Sequence, residues 1–232
     1  MSFLTKRDYF ILINEEDLDV VAFSNAEGTT AENIIEETEA NVIQEISSYL
    51  SGRYDIAKIF FQLNEYRAGE TYRVGDFIYL NAPKIVTGTT YSVNSLVTKE
   101  DLKVYKCTTS GTAVTGVFVA IGVDGNYYTA KVDTNVNDLF SDSTKFETGE
   151  KRNALIKRHV IDVVLYELHS RINPRNIPEF RIQRRDDSIK WLGMVQNPRN
   201  NVDADFLPKR DFGLQKGNDI SWNSKKKLSH DY

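Results

Sequence analysis

The stretch from residue 151 to about residue 172 constrains this chain most. On a helical wheel, Ile156, Val160, Ile161, Val163, Val164, Leu165, Leu168 and Ile172 spread over roughly 200° of the circumference. An apolar arc that wide is more than one packed face can cover, so the helix is expected at the centre of a core with partners on two sides. Asn173-Pro174 ends it, because proline cannot donate the next helical hydrogen bond. Candidate partner helices lie on both sides in sequence. Thr29-Thr30 can cap one in which Ile35, Thr38, Val42, Ile46, Tyr49 and Leu50 follow helical spacing while Glu32, Glu36, Glu37 and Asn41 face the other way. Gly52 stands where a left-handed C-cap would stop it. A later helix is expected from about Arg185 through Ile189, Trp191, Leu192, Met194 and Val195 to the break at Asn197-Pro198. Near the N-terminus, Thr5 precedes Asp8 and Asn14 precedes Asp17 at capping-box spacing, ahead of the apolar runs Tyr9 to Ile13 and Leu18 to Phe23; two short helical pieces should result.

Between about residue 62 and residue 148 Gly, Thr, Val and Tyr dominate and apolar residues recur between turn signals, which is strand chemistry. Candidate strands are Phe77 to Leu80, Lys103 to Thr108, Val117 to Gly122 and Tyr127 to Val132, with Asp124-Gly125-Asn126 a tight turn between the last two. Neither helical part alone makes a convincing core. The economical expectation is an α+β protein: a discontinuous helical domain (1–61 plus 150–197), an inserted small β-rich domain (62–149), and an extended C-terminal arm (198–232) too poor in apolar residues to offset its own ordering entropy. Residues near Phe61 and Gly149 should then lie close together.

The formal net charge of −4 hides an asymmetry: residues 1–60 carry −8, residues 61–149 carry −2 and residues 150–232 carry +6. An acidic front and a basic back can complement each other within one chain or between copies. No apolar run approaches the roughly 20 residues that span a bilayer, and the N-terminus lacks a basic region followed by an apolar one, so secretion and membrane insertion are not expected. Cys107 is the single cysteine. It cannot close an internal disulfide or supply a four-ligand zinc site.

Motifs for catalysis are missing as well. The chain has three histidines, His159, His169 and His230, and no HExxH, CxxC or glycine-rich phosphate loop. His159 and His169 fall off the apolar arc of the long helix and are expected on its solvated face. Arg184-Arg185-Asp186-Asp187 offers adjacent carboxylates, but neighbours on a helix diverge and the arginines compete, so a capped, solvated first turn is the better reading than a magnesium site. No catalytic, cofactor-binding or metal-ligating residue is nominated, and an enzyme is not expected. In the arm, Trp222 beside Lys225-Lys226-Lys227, together with Phe212, is a candidate partner-docking set.

The helical parts resemble the Mu-like head-tail connector family of tailed bacteriophages. Leu4-Thr5-Lys6-Arg7-Asp8-Tyr9 is similar to that family's opening short helix, and the segment from Ala40 to Tyr54, ending Tyr49-Leu50-Ser51-Gly52-Arg53-Tyr54, to its most recognisable helix. Leu155 to Leu168 resembles its buried second long helix, and Arg184 to Leu192 its closing helix with a Trp-Leu pair. The resemblance implies a structural virion protein: a ring of about twelve copies in the neck that joins the portal to the tail or to further neck rings, assembled in the host cytoplasm, passing DNA without sequence-specific binding. It implies no cofactor and no membrane. Acidic helix 31–52 would face either the basic part of a neighbouring subunit or the DNA channel.

The β-rich segment has a resemblance of its own. Tyr66 to Ile78, with Gly75-Asp76 leading into a strand, and Val104-Tyr105-Lys106-Cys107 look like the small carbohydrate-binding modules of chitinases. Both tryptophans, Trp191 and Trp222, lie outside this segment, and Tyr72, Tyr79 and Tyr105 are expected in its core, so structural reuse is the better reading. The alternative is a carbohydrate-binding or host-attachment protein acting through Tyr66, Tyr72 or Tyr79; another rival is a DNA-binding protein using the basic tail.

Overall fold

The computed structural model describes residues 2–23, 29–136, 138–197 and 204–211. Both helices and sheets are present, in the order α1 (Lys6–Tyr9), α2 (Glu15–Val21), α3 (Ala31–Leu50), α4 (Ile56–Ile59), β1 (Leu63–Glu65), β2 (Phe77–Tyr79), β3 (Thr90–Tyr91), β4 (Leu96–Thr98), β5 (Lys103–Thr109), β6 (Gly111–Thr112), β7 (Val117–Val123), β8 (Tyr127–Ala130), β9 (Phe146–Thr148), α5 (Ala154–Ile172) and α6 (Glu179–Gln196).

Capping chemistry sets the helix starts. The Asp8 carboxylate accepts from the Thr5 backbone N–H at 2.8 Å and from its hydroxyl at 2.9 Å, and the Thr30 hydroxyl accepts from the Asn33 N–H. Asn153 begins α5 by accepting from the N–H groups of Leu155 and Ile156. Gly52 departs from expectation. The backbone of Ser51 stays right-handed and the N–H groups of Arg53 and Tyr54 both turn back to the Leu50 carbonyl, so no left-handed glycine is used. Helix α6 begins at Glu179, six residues before the expected Arg185. Its first turn escaped notice because the residue facing the core there is Arg181, while Phe180 and Ile182 face outward.

Helix α5 packs against both α3 and α6, which also touch each other. Nearly its whole circumference is buried, from Ile156 to Leu168, although Ile172 at its end is exposed. One hydrophobic cluster joins Phe3, Leu4 and Tyr9, the inner faces of α2 and α3, and the buried residues of α5 and α6. A second cluster is made from the strand-rich segment, with Ile78, Leu80, Val104, Ile121, Tyr128, Phe140 and Phe146 at its centre. Aromatic contacts run from one to the other: Phe61 meets Phe3 and Phe77 edge-on, Phe77 stacks on Tyr127, and the Tyr127 carbonyl accepts from the Gly149 N–H at 2.9 Å.

The strands form a four-stranded sheet ordered β1-β2-β8-β9, a three-stranded sheet ordered β4-β5-β7 and the small pair β3-β6. Strands β1 and β2 run parallel with Leu63 opposite Phe77, and the remaining pairs are antiparallel. The Asp124-Gly125-Asn126 turn is present, with Gly125 at φ +74°, but it is a corner between two sheets and not a hairpin. Its N–H groups are satisfied by other strands' ends, Asp124 to the Leu102 carbonyl and Gly125 to the Leu80 carbonyl. Where the sheets approach, Gly122 leaves no room: a Cβ there would lie 2.6 Å from Leu80 Cδ2 and 3.0 Å from the Tyr128 hydroxyl. Because Leu80 is itself fully buried, Gly122→Ala is expected to cost about 1–3 kcal/mol, read as a lower urea midpoint at unchanged slope.

Residues 204–211 correct the expectation of an arm that stands apart from residue 198 onward. Ala204 and Leu207 are buried in the helical cluster. Pro208 accepts from the Asp55 N–H, the Arg210 N–H donates to Arg53, and Lys209 pairs with Tyr54 in an isolated bridge. Backbone hydrogen bonds to an edge that would otherwise be unpaired, together with two buried side chains, offset the ordering entropy that sparse apolar content alone would not.

Candidate functional site

Two neighbouring polar features form where α1 meets the long helices and the first sheet. The first is a buried ionic junction. The Arg152 side chain is fully buried and donates to Asp8 at 2.9 Å, to Glu150 at 2.7 and 2.9 Å, and to the Phe3 carbonyl at 2.6 Å, while its plane lies 4.6 Å from the centre of the Tyr127 ring. Lys157 bridges Asp8 at 3.1 Å and Glu150 at 3.0 Å. Burial by itself would raise the Asp8 carboxyl; the charges of Arg152 and Lys157 overcome it and hold that group below its ordinary value. The junction ties α1, the start of α5 and the first sheet together. A further pair, Arg7 to Asp124 at 2.8 Å, ties α1 to the corner between the sheets.

The second feature is a cleft of about 780 Å³ between α1, the first half of α3 and the β1–β2 region. Among the described residues its walls carry Glu32, Glu36, Glu39, Glu65, Glu70 and Asp76 against Lys6 and Arg67. Lys6 is engaged with Glu15 and Asp19, and Arg67 stands 4.0 Å from Glu70. Glu39, 1% exposed, accepts from the Ser2 hydroxyl, the N–H groups of Phe3 and Leu4, and the Tyr9 hydroxyl. All four donors are neutral, and among the described residues no cation pairs with it; burial pushes its carboxyl up despite those bonds. Tyr79 also lines the cleft. Its phenol is buried beside the Arg7 guanidinium, and burial pushes it up to about 12 despite that charge. Sequence reasoning passed over Glu39, yet the spacing Ile35, Glu39, Val42, Ile46 places an acid in an apolar stripe, which is a readable signal.

His159 is not on a solvated face. It is 9% exposed, with Nδ1 2.9 Å from the Ser188 hydroxyl and its ring stacked 4.5 Å from that of Trp191. The wheel misplaced it because α6 covers a side of α5 that no apolar residue marks. His169 is half-buried, with Nδ1 2.7 Å from the Leu165 carbonyl. The Arg184-Arg185-Asp186-Asp187 run lies in the middle of α6, not in its first turn; Arg184 points to buried Asp162 at 3.4 Å and Arg185 to Asp186 at 3.2 Å. Tyr66, Tyr72 and Tyr79 are buried, whereas Tyr105 is half-buried and donates to Asp101.

Several large apolar side chains in and beside α1, α2 and α6 stand in water. Ile11 is 76% exposed and Phe180 52% exposed, and Phe10, Val20, Phe23 and Ile182 are also exposed. Arg181, between Phe180 and Ile182, donates to the Leu12 carbonyl, and Arg171 donates to the Phe23 carbonyl. The docking set named from sequence, Phe212, Trp222, Lys225, Lys226 and Lys227, lies outside the described residues. Cys107 is buried, and no group of His, Cys, Asp and Glu among the described residues is placed to hold a metal ion. No described helix is long and apolar enough to cross a membrane. No family model matches the chain, and no curated protein or solved structure matches it.

Proposed function

We propose that this chain is a structural virion protein of the tailed-phage neck, assembling into a ring between the portal and the tail or further neck rings. In this reading residues 1–61 and 150–197 form one discontinuous helical domain and residues 62–149 an inserted domain. The observation that carries it is the set of large apolar side chains, Ile11, Phe23 and Phe180 among them, that the helical part leaves in water. Exposed apolar patches of this kind mark association surfaces. A cyclic ring is built from heterologous contacts, one patch meeting a different patch on the next copy, and the −8 front and +6 back supply the electrostatic guidance such contacts need. The resemblance of α3, α5 and α6, in that order, to connector helices supports the same class. Glycan recognition is less well supported, because Tyr66, Tyr72 and Tyr79 are buried and offer no exposed platform.

Native mass spectrometry with and without portal protein tests the proposal: a ring of about twelve copies is expected. Ile11→Asp combined with Phe180→Asp should abolish the ring while leaving thermal unfolding nearly unchanged, since both side chains are exposed. A chain that stays monomeric in the presence of portal overturns the reading. Portal docking through the tail is tested by truncation after Asp211, because truncation after Asn197 would strip Ala204 and Leu207 from the core.

A further inference from the structure

We propose that the outer half of strand β7, from Val117 to Ala120, is a docking edge for the same strand of a second copy, the two running antiparallel about a two-fold axis at Val119. The sheet pairing leaves this edge open. On β5 the Cys107 N–H donates to the Ser95 carbonyl, the Cys107 carbonyl accepts from Asn94 and the Lys103 carbonyl accepts from Lys99, so odd-numbered residues of β5 bond toward β4 and even-numbered ones toward β7. Val119, opposite Lys106, therefore bonds inward, while Phe118 and Ala120, opposite Cys107 and Tyr105, turn their N–H and C=O groups away from the sheet. None of these four groups has a partner among the described residues. Other edges are treated differently. Pro83 and Ile85 bond to Thr98 along β4, the Ser2 carbonyl accepts from Leu63 beside β1, and β9 carries the charged Glu147. In β7 the bulge at Ile121 closes only the inner half, where the Phe140 N–H takes the Ile121 carbonyl and the Val123 N–H donates to the Tyr128 hydroxyl. Val117-Phe118-Val119-Ala120 has neither a charge nor a proline, the devices that protect an edge from pairing.

The open groups are complementary to themselves, which is what selects a second copy as the occupant. Phe118 and Ala120 flank Val119 symmetrically, so antiparallel pairing with the two Val119 residues opposite each other sets each Phe118 against an Ala120 and closes about four N–H···O bonds. No other antiparallel register of these groups closes more than about two. The Val119 side chains, 42% exposed in one copy, then meet as a non-hydrogen-bonded pair with Cα atoms about 4.5 Å apart, and each covers apolar surface of the other. Strand β7 is itself neutral. The lysines of β5, Lys103 and Lys106, stand three strand spacings, about 14 Å, from their counterparts, beyond the Debye length of about 8 Å. A two-fold contact of this kind joins copies in pairs through one shared patch, whereas a ring closes through two different patches. It therefore neither rests on the ring reading nor uses the apolar side chains of the helical part.

The test is disulfide trapping of the full-length chain at tens of micromolar. Val119→Cys is expected to form covalent dimers on oxidation, because the two thiols face each other across the axis, while Val117→Cys, more exposed but set opposite Ile121 by the same register, should stay monomeric. Cys107 is buried and supplies a silent background. Ala120→Pro removes only the outward N–H groups, so thermal unfolding should hold while the dimer dissociation constant, read by sedimentation velocity, rises roughly tenfold or more. Equal trapping at both cysteines, a Val119→Cys chain that stays monomeric, or a folded Ala120→Pro chain that dimerises as tightly as the parent overturns the proposal. If the proline unfolds the chain, the trapping contrast decides alone. The Val119→Cys link should also persist in the Ile11→Asp, Phe180→Asp chain, which separates this edge from the ring contact; its loss there assigns the pairing to ring packing and overturns the two-fold contact.

Discussion

Replacing Arg152 by methionine should destabilise the protein by about 3–5 kcal/mol, the cost of stranding a buried charge. The substitution keeps most of the apolar stem but removes every donor that satisfies Asp8, Glu150 and the Phe3 carbonyl from that side. Asp8 retains Lys157 and its capping contacts with Thr5, yet remains almost fully buried. For a chain of this size the loss corresponds to a melting temperature lower by roughly 10 °C. Asp8→Asn added to Arg152→Met should recover part of it, because the stranded charge is then gone, and the non-additivity measures the coupling between the two groups. If thermal denaturation shows the single variant within about 1 kcal/mol of the parent, the junction does not hold α1 to α5 as argued.

Acidification should cost the parent stability through His159. Burial beneath α6, with the adjacent Arg158 charge adding to it, pushes this imidazole down to about 4. In the unfolded chain the ordinary value is about 6.5, so protons bind the unfolded state more readily. The stabilisation is therefore complete above about pH 6.5 and is lost as the pH falls towards 4, amounting to about 3 kcal/mol. The groups that bear on it are the Arg158 charge and, from α6, Ser188 and Trp191. Glu39 and Asp162 work in the opposite direction, because burial raises both carboxyls and their protonation favours the folded chain. The informative quantity is thus a difference. His159→Phe keeps the stack on Trp191 and has no proton to bind, so denaturant titrations between pH 7 and pH 4 should show the parent losing about 3 kcal/mol more than the variant. Parallel pH profiles would sink this account.

These two residues also show where sequence reasoning stopped. A wheel sorts side chains by polarity and places His159 outside; polarity alone would do the same for Arg152, which precedes α5. Each is inside because a partner from a distant element satisfies it: Ser188 and Trp191 for the imidazole, Asp8 and the Phe3 carbonyl for the guanidinium. The start of α6 was missed for a related reason, since Arg181 takes the place an apolar residue would hold. Glu39 was legible in principle from its place in the stripe of α3. Strands β2, β5, β7 and β8 lie close to where local composition puts them, whereas the short strands β1, β3, β4, β6 and β9 were missed, and the pairing was not legible because the corner at Gly125 sends β7 and β8 into different sheets.

What the sequence determined by itself is therefore the local and periodic part. It specified α3 and the central α5 from their apolar spacing, the caps at Thr5 and Thr30, the strand chemistry of the middle segment, and the acidic front and basic back. Only the tertiary structure decided that Arg152 closes a junction with Asp8, that residues 204–211 rest on the core, and that the acids of α3 face those of the first sheet across a cleft. The physical reason is range. Capping and helical periodicity act over a few residues and leave a pattern in the chain, whereas ion pairs between residues such as Asp8 and Arg152 exist only after folding has removed the water between them.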